Sequence, residues 1–141
     1  MSQSRIPLVL RREVIAASPP WCCYCQNQQI VSGIRLTIDH IVAEALGGRT
    51  ELTNLCLACW DCNMIKGDRL VDVDPLTGQE VRLFHPHQET WLEHFRWSHD
   101  GAFMIGLTPV GRATIVALKL NRPNLVQSRR RWVTAGWHPP G

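Results

Sequence analysis

Residues 22–66 read CCYCQNQQIVSGIRLTIDHIVAEALGGRTELTNLCLACWDCNMIK. Two Cys-x-x-Cys pairs, Cys22/Cys25 and Cys59/Cys62, bracket the dipeptide Asp39-His40, and Asn63 follows the last cysteine directly. Tetrahedral Zn²⁺ takes four soft ligands, and each knuckle supplies two thiolates on one tight turn. Cys22, Cys25, Cys59 and Cys62 are therefore expected to hold a structural zinc, whose binding contributes folding free energy where the local core is thin. Free buried thiols or a redox dithiol are the alternative readings. Cys23 and Cys56 have no partner at knuckle spacing and are assigned to packing.

Between the knuckles, Ile34, Leu36 and Ile38 alternate with Arg35, Thr37 and Asp39, the period of a half-buried strand that delivers Asp39-His40 at its end. Residues 43–54 contain Gly47-Gly48 and read as a loop. Leu55 to Leu57 reads as a short strand, and a helix is expected from Trp60 or Asp61 to about Lys66, with Gly67 ending it. Hydrolysis of a phosphodiester needs an activated water, a cation and positioning. An imidazole that titrates near neutrality makes His40 a candidate general base. Asp39 offers a hard anionic oxygen suited to Mg²⁺ or Mn²⁺, and Asn63 a neutral oxygen from the helix. Neighbours on a strand point to opposite sides, so Asp39 can face a metal while His40 faces water. Lys66, one turn beyond Asn63, is a candidate phosphate contact.

Asp39-His40-Ile41, Gly47-Gly48, Asn54-Leu55 and Cys59-x-x-Cys62-Asn63-x-x-Lys66 together resemble the HNH endonucleases of the His-Me finger superfamily. The likeness is to the variety in which two Cys pairs clamp the active-site unit and Asn replaces the last His. The resemblance implies a ββα-metal core. It implies His40 as general base, one divalent ion held by Asp39 and Asn63, and in-line hydrolysis of DNA leaving 5′-phosphate and 3′-hydroxyl ends. It also implies that Asn54 ties the loop so that His40 is oriented. The alternatives are a non-catalytic zinc-finger module that binds nucleic acid, and a nuclease subunit that cuts only with a partner.

Outward from this stretch, Pro7 opens a helix expected to reach Ala17, with Leu10, Val14 and Ala17 on one face and Pro19-Pro20 ending it. Downstream, Asp74-Pro75-Leu76-Thr77-Gly78 and Ser98-His99-Asp100-Gly101 mark turns of two hairpins, over 70–84 and 94–105. Thr108-Pro109 is an N-cap with Pro at the first helical position, opening a helix to about Leu120. A last helix is expected from Pro123 to before Gly136, with Leu125, Val126, Trp132 and Val133 on its apolar side. Asp74-Pro75-Leu76-Thr77-Gly78, Leu83-Phe84-His85-Pro86, Trp91 and Gly106-Leu107-Thr108 resemble an extension found after the HNH core in many bacterial members. The expected class is α+β: a ββα-metal core with zinc knuckles over 1–69, and an extension of hairpins and two helices over 70–141. The extension is expected to complete the core, with Trp91, Phe95 and Trp97 packing rather than stacking on bases, and His85 and His87 structural.

The chain has 141 residues, 45% hydrophobic, and a formal charge of +3. That balance permits a nucleic-acid partner without demanding one. Basic residues gather at Arg5, Arg11 and Arg12 and again at Arg122 and Arg129 to Arg131. Arg129, Arg130 and Arg131 are candidates, with Lys66, for tracking a DNA backbone. No run approaches the roughly 18 apolar residues of a membrane span. The apolar run Ile6 to Leu10 precedes Arg11-Arg12, the wrong order for a secretory signal. Paired Cys-x-x-Cys spacing points to metal rather than disulfides. A cytoplasmic protein is expected. A homodimer or a protein partner is left open.

Overall fold

The computed structural model describes residues 6–141, so Arg5 lies outside the described residues. Helix α1 (Leu8–Ala17) starts where Pro7 sets φ at −56° and stops at Ser18, ahead of Pro19-Pro20. After the first knuckle comes a single helical turn, α2 (Gln29–Ser32), closed by Gly33 at φ +76°. No periodicity in so short a segment announces it. Strand β1 (Leu36–His40) pairs antiparallel with β2 (Leu55–Cys59), Leu36 opposite Cys59 and His40 opposite Leu55. Helix α3 (Trp60–Lys66) follows β2 without a break, and the Cys59 side chain caps it by accepting from the Cys62 amide. The connection between the strands holds two short 3₁₀ turns, Glu44–Leu46 and Leu52–Asn54. The result is a ββα unit with a knuckle at either end of its sequence.

Every residue of β2 is buried, and its two faces serve two cores. Leu55 and Leu57 join Ile6, Val14 and Ile38 beneath α1. Cys56 and Ala58 face the other way, into a larger cluster with Phe84, Phe95 and Leu118 from the second half of the chain, which Cys59 joins at the strand end. The period-two alternation of a strand thus sends one side of β2 to the N-terminal helix and the other to the extension.

The extension opens with a hairpin, β3 (Val71–Val73) and β4 (Glu80–Arg82). Its turn is organised by the buried Asp74, which accepts from the Leu76 amide and the Thr77 hydroxyl and receives a two-pronged Arg112 guanidinium at 2.9 Å on each oxygen. A short α4 (Trp91–His94) precedes the hairpin of β5 (Phe95–Trp97) and β6 (Met104–Gly106). Helix α5 (Pro109–Ala117) is capped by Thr108, which accepts from the Gly111 amide at 3.0 Å. It stops short of Leu120 because Lys119 turns left-handed at φ +49°, and Leu120 is then buried. Helix α6 (Pro123–Thr134) closes the fold, burying Leu125 and Val126. The architecture is α+β, with a four-cysteine cluster on a ββα unit. Among the described residues no helix is long and apolar enough to cross a membrane.

Candidate metal centre and active site

The sulfurs of Cys22, Cys25, Cys59 and Cys62 all lie within 4.8 Å of one another, and all four residues are buried. A zinc–sulfur bond of about 2.3 Å sets the edge of a tetrahedron at about 3.8 Å. The Cys25–Cys59 sulfur separation of 3.7 Å fits that edge. Both knuckles aim main-chain N–H groups at their first sulfur: Tyr24 and Cys25 at Cys22 Sγ, and Cys62 at Cys59 Sγ. Hydrogen bonds from Cys22, Cys25 and Cys62 hold the Cys59 thiol far below its ordinary range. Burial pushes Cys22 up, and the hydrogen bond with Cys22 does the same to Cys62. The four cysteines are positioned to bind one metal ion, consistent with structural zinc. From the extension, Arg122 lays its guanidinium against the set, 3.8 Å from Cys62 Sγ and 4.0 Å from Cys59 Sγ. Cys23 and Cys56, expected only to pack, do so against each other, with Cys23 Sγ donating to Cys56 Sγ at 2.9 Å.

On β1, Asp39 points away from α1. Its Oδ2 accepts from the Tyr24 hydroxyl at 2.8 Å and meets Lys66 Nζ at 3.0 Å. Burial raises its pKa, against the pull of Lys66 and Tyr24. This corrects one expectation: Lys66 is not a surface phosphate contact. It is 2% exposed, and its ammonium is spent on Asp39 and on the carbonyls of His40 and Ile41. An ammonium carries three donors, and all three are engaged within the fold.

His40 takes the opposite side of the strand end. Its Nε2 lies 2.9 Å from Thr50 Oγ1 and 3.7 Å from Glu44 Oε1. Its Nδ1 is buried with no hydrogen-bond partner. Asn54 draws the intervening loop together: Oδ1 accepts from the Val42 amide, and Nδ2 donates to the carbonyls of Val42 and Arg49. A main-chain bond from Ile41 to Asn54 reinforces the closure. Gly48 is demanded here by close approach. A Cβ at that position would sit 1.7 Å from the Val42 carbonyl oxygen and 2.9 Å from Asn54 Nδ2.

Asn63, on α3, donates from Nδ2 to Thr37 Oγ1 at 2.8 Å, while its Oδ1 is buried without a partner. No hydrogen bond joins Asp39 to Asn63. The two offer similar chemistry, however. Asn63 Oδ1 is an unused neutral oxygen, and both contacts to Asp39 fall on Oδ2, leaving Oδ1 as a hard anionic donor. Carboxylate and amide oxygens are donor types that Mg²⁺ and Mn²⁺ take.

The C-terminal arginines divide. Arg129 is fully buried, donating to the carbonyls of Ala102 and Leu120 and lying 4.9 Å from the Trp97 ring centroid, so it is an interior strut and not a DNA contact. Burial lowers its pKa to about 10, which leaves it charged near neutrality. Arg130 and Arg131 stay exposed. Trp91 and Trp97 pack with Phe95 and tie the first knuckle, donating to the Tyr24 carbonyl and to Gln26 Oε1. His87 Nε2 lies 2.7 Å from the Leu55 carbonyl, and His85 Nδ1 accepts main-chain amides of His87 and Gln88. Sequence reasoning passed over Tyr24, Thr50 and Glu44. Tyr24 hides among knuckle residues, and Thr50 and Glu44 act on His40 only because the loop folds back.

The fold and site define a zinc-knuckle ββα unit with a histidine at the end of its first strand. An HNH endonuclease family model matches residues 22–69, the segment that holds both knuckles, β1, β2 and α3. No curated protein and no solved structure matches the chain.

Proposed function

We propose that the chain is a metal-dependent endonuclease that hydrolyses DNA phosphodiester bonds, with His40 as general base and Asp39 and Asn63 as ligands for one Mg²⁺ or Mn²⁺. The observation that carries this reading is the state of His40 inside an HNH-matched segment: Nε2 is engaged by Thr50 with Glu44 nearby, and Nδ1 is unpaired. An oxygen pair around Nε2 favours a proton there, which leaves Nδ1 as the acceptor for a proton from water. The Glu44 carboxylate then stabilises the imidazolium that forms. Asn54 and Gly48 set the loop that carries Thr50 and Glu44. Lys66 and Tyr24 fix the Asp39 carboxylate, and Thr37 fixes the Asn63 amide. When bound, the divalent ion supplies charge neutralisation at the scissile phosphate and the leaving 3′ oxygen.

One observation favours the alternative, a zinc module that binds without cutting: the Asp39 charge is already compensated by Lys66 at 3.0 Å. A plasmid assay separates the two. Zinc-loaded protein with added Mg²⁺ or Mn²⁺ is expected to nick or linearise supercoiled DNA, and none without added ion. His40→Ala is expected to cut more slowly by about 10²- to 10⁴-fold, the usual worth of a general base. Cutting that survives in His40→Ala rejects the base. Binding without cutting, in either ion, selects the module or a nuclease that needs a partner.

A further inference from the structure

A groove of about 360 Å³ runs along the free edge of β1, between α1 and α3. Its lining includes Arg11 from α1, Arg35 just before β1, Thr37 and Ile38 from β1, and Trp60 and Asn63 from α3. No carboxylate lines it. Arg11 and Arg35 are both exposed, and neither has an acidic partner among the described residues. The Arg35 guanidinium carbon stands 5.6 Å from the Trp60 ring centroid, which holds the charge against the groove wall. Asn63, which lines the groove, is 1% exposed, and its Oδ1 is buried without a hydrogen-bond partner. His40 stands two residues beyond Ile38 on the same face of β1.

We infer that this groove is the backbone-binding subsite for DNA, with Arg11 and Arg35 each neutralising a phosphate that flanks the one presented near Asn63 and His40. The inference rests on the reading of DNA as substrate. It replaces the C-terminal arginine run as the main electrostatic contact, and Arg129 in that run is in any case buried. Two uncompensated guanidinium groups in a groove free of acid form a strong anion site, because nothing within the fold competes for them.

The test is the salt dependence of binding by the zinc-loaded full chain to a short fluorescein-labelled duplex, followed by anisotropy with no divalent ion added. Each phosphate neutralised contributes about 0.9 to the slope of log affinity against log salt. Arg11→Gln/Arg35→Gln is expected to lower the slope by about 1.8. Arg11→Lys/Arg35→Lys is expected to keep it. Arg82→Gln/Arg96→Gln removes the same charge from exposed positions outside the groove and is expected to leave the slope in place. Zinc content and thermal melting are read on every variant. An unchanged slope in the groove pair, an equal loss in the outside pair, or no salt-dependent binding by the parent chain overturns the inference. Cleavage plays no part in this readout. A chain that binds through the groove and never cuts keeps the subsite and rejects the hydrolytic reading. A chain that cuts with an unaltered slope rejects the subsite alone.

Discussion

Gly48 and Asn54 show how one atom's room governs the loop around His40. Asn54 satisfies the Val42 amide and two carbonyls, and Gly48 lies so close that a methyl group meets the Val42 oxygen at 1.7 Å. Gly48→Ala must therefore push the backbone aside. It is expected to cost about 1–3 kcal/mol, as overpacking does, read by chemical denaturation. Asn54→Ala strands the Val42 amide and the Val42 and Arg49 carbonyls, at a cost of about 1–3 kcal/mol for each group that water does not reach. Both variants should lose plasmid cutting by more than they lose stability, since the loop they open carries Thr50 and Glu44. A variant that loses stability and keeps full cutting would separate the loop from the function of His40.

Secondary elements here depend on what staples their ends. The two knuckles start and end the ββα unit, so metal removal should reach β1, β2 and α3 together. Chelation, or Cys59→Ser, is expected to lower the melting temperature and release the unit's amides to hydrogen exchange; protected β1 and β2 amides after zinc loss would refute this. The β3–β4 hairpin is held through Asp74. The Arg112 guanidinium, which donates to both carboxylate oxygens, holds Asp74 well below the usual carboxylate range. A carboxylate with a depressed folded pKa contributes stability above its unfolded value, near 3.8, and loses it as pH falls toward the folded one. Asp74→Asn is thus expected to melt below the parent chain at neutral pH, with the gap narrowing below about pH 4. A gap that stays constant across that range would assign Asp74 a role that does not depend on charge.

The extension is joined to the ββα unit by shared burial. Leu83, Phe84, Phe95 and Leu118 sit in one cluster with the zinc cysteines, and Arg122 covers their sulfurs. Arg129 is the strut that holds α6 to this assembly, donating to carbonyls on either side of β6. Removing it strands those carbonyls and leaves a cavity. Arg129→Ala is expected to cost more than about 2 kcal/mol, while Arg130→Ala stays within about 0.5 kcal/mol. Equal effects in a denaturation series would remove Arg129 from the interior.

The sequence by itself determined the local elements and the ligand set. Cysteine spacing announces four sulfurs, alternation announces β1, and Pro7, Gly67 and Thr108-Pro109 mark helix boundaries through backbone sterics that act within a few residues. What the sequence could not decide is where long side chains spend their charge. Lys66 and Arg129 look like surface cations because Lys and Arg are rarely buried, and only carbonyls and a carboxylate brought from distant segments make their burial tolerable. The same holds for Arg11 and Arg35, which stand 24 residues apart in the sequence and share a groove only after α1 docks on the sheet. Hydrogen bonds and Coulomb forces act over a few ångströms in space, so their partners belong to the tertiary structure and not to the order of the chain.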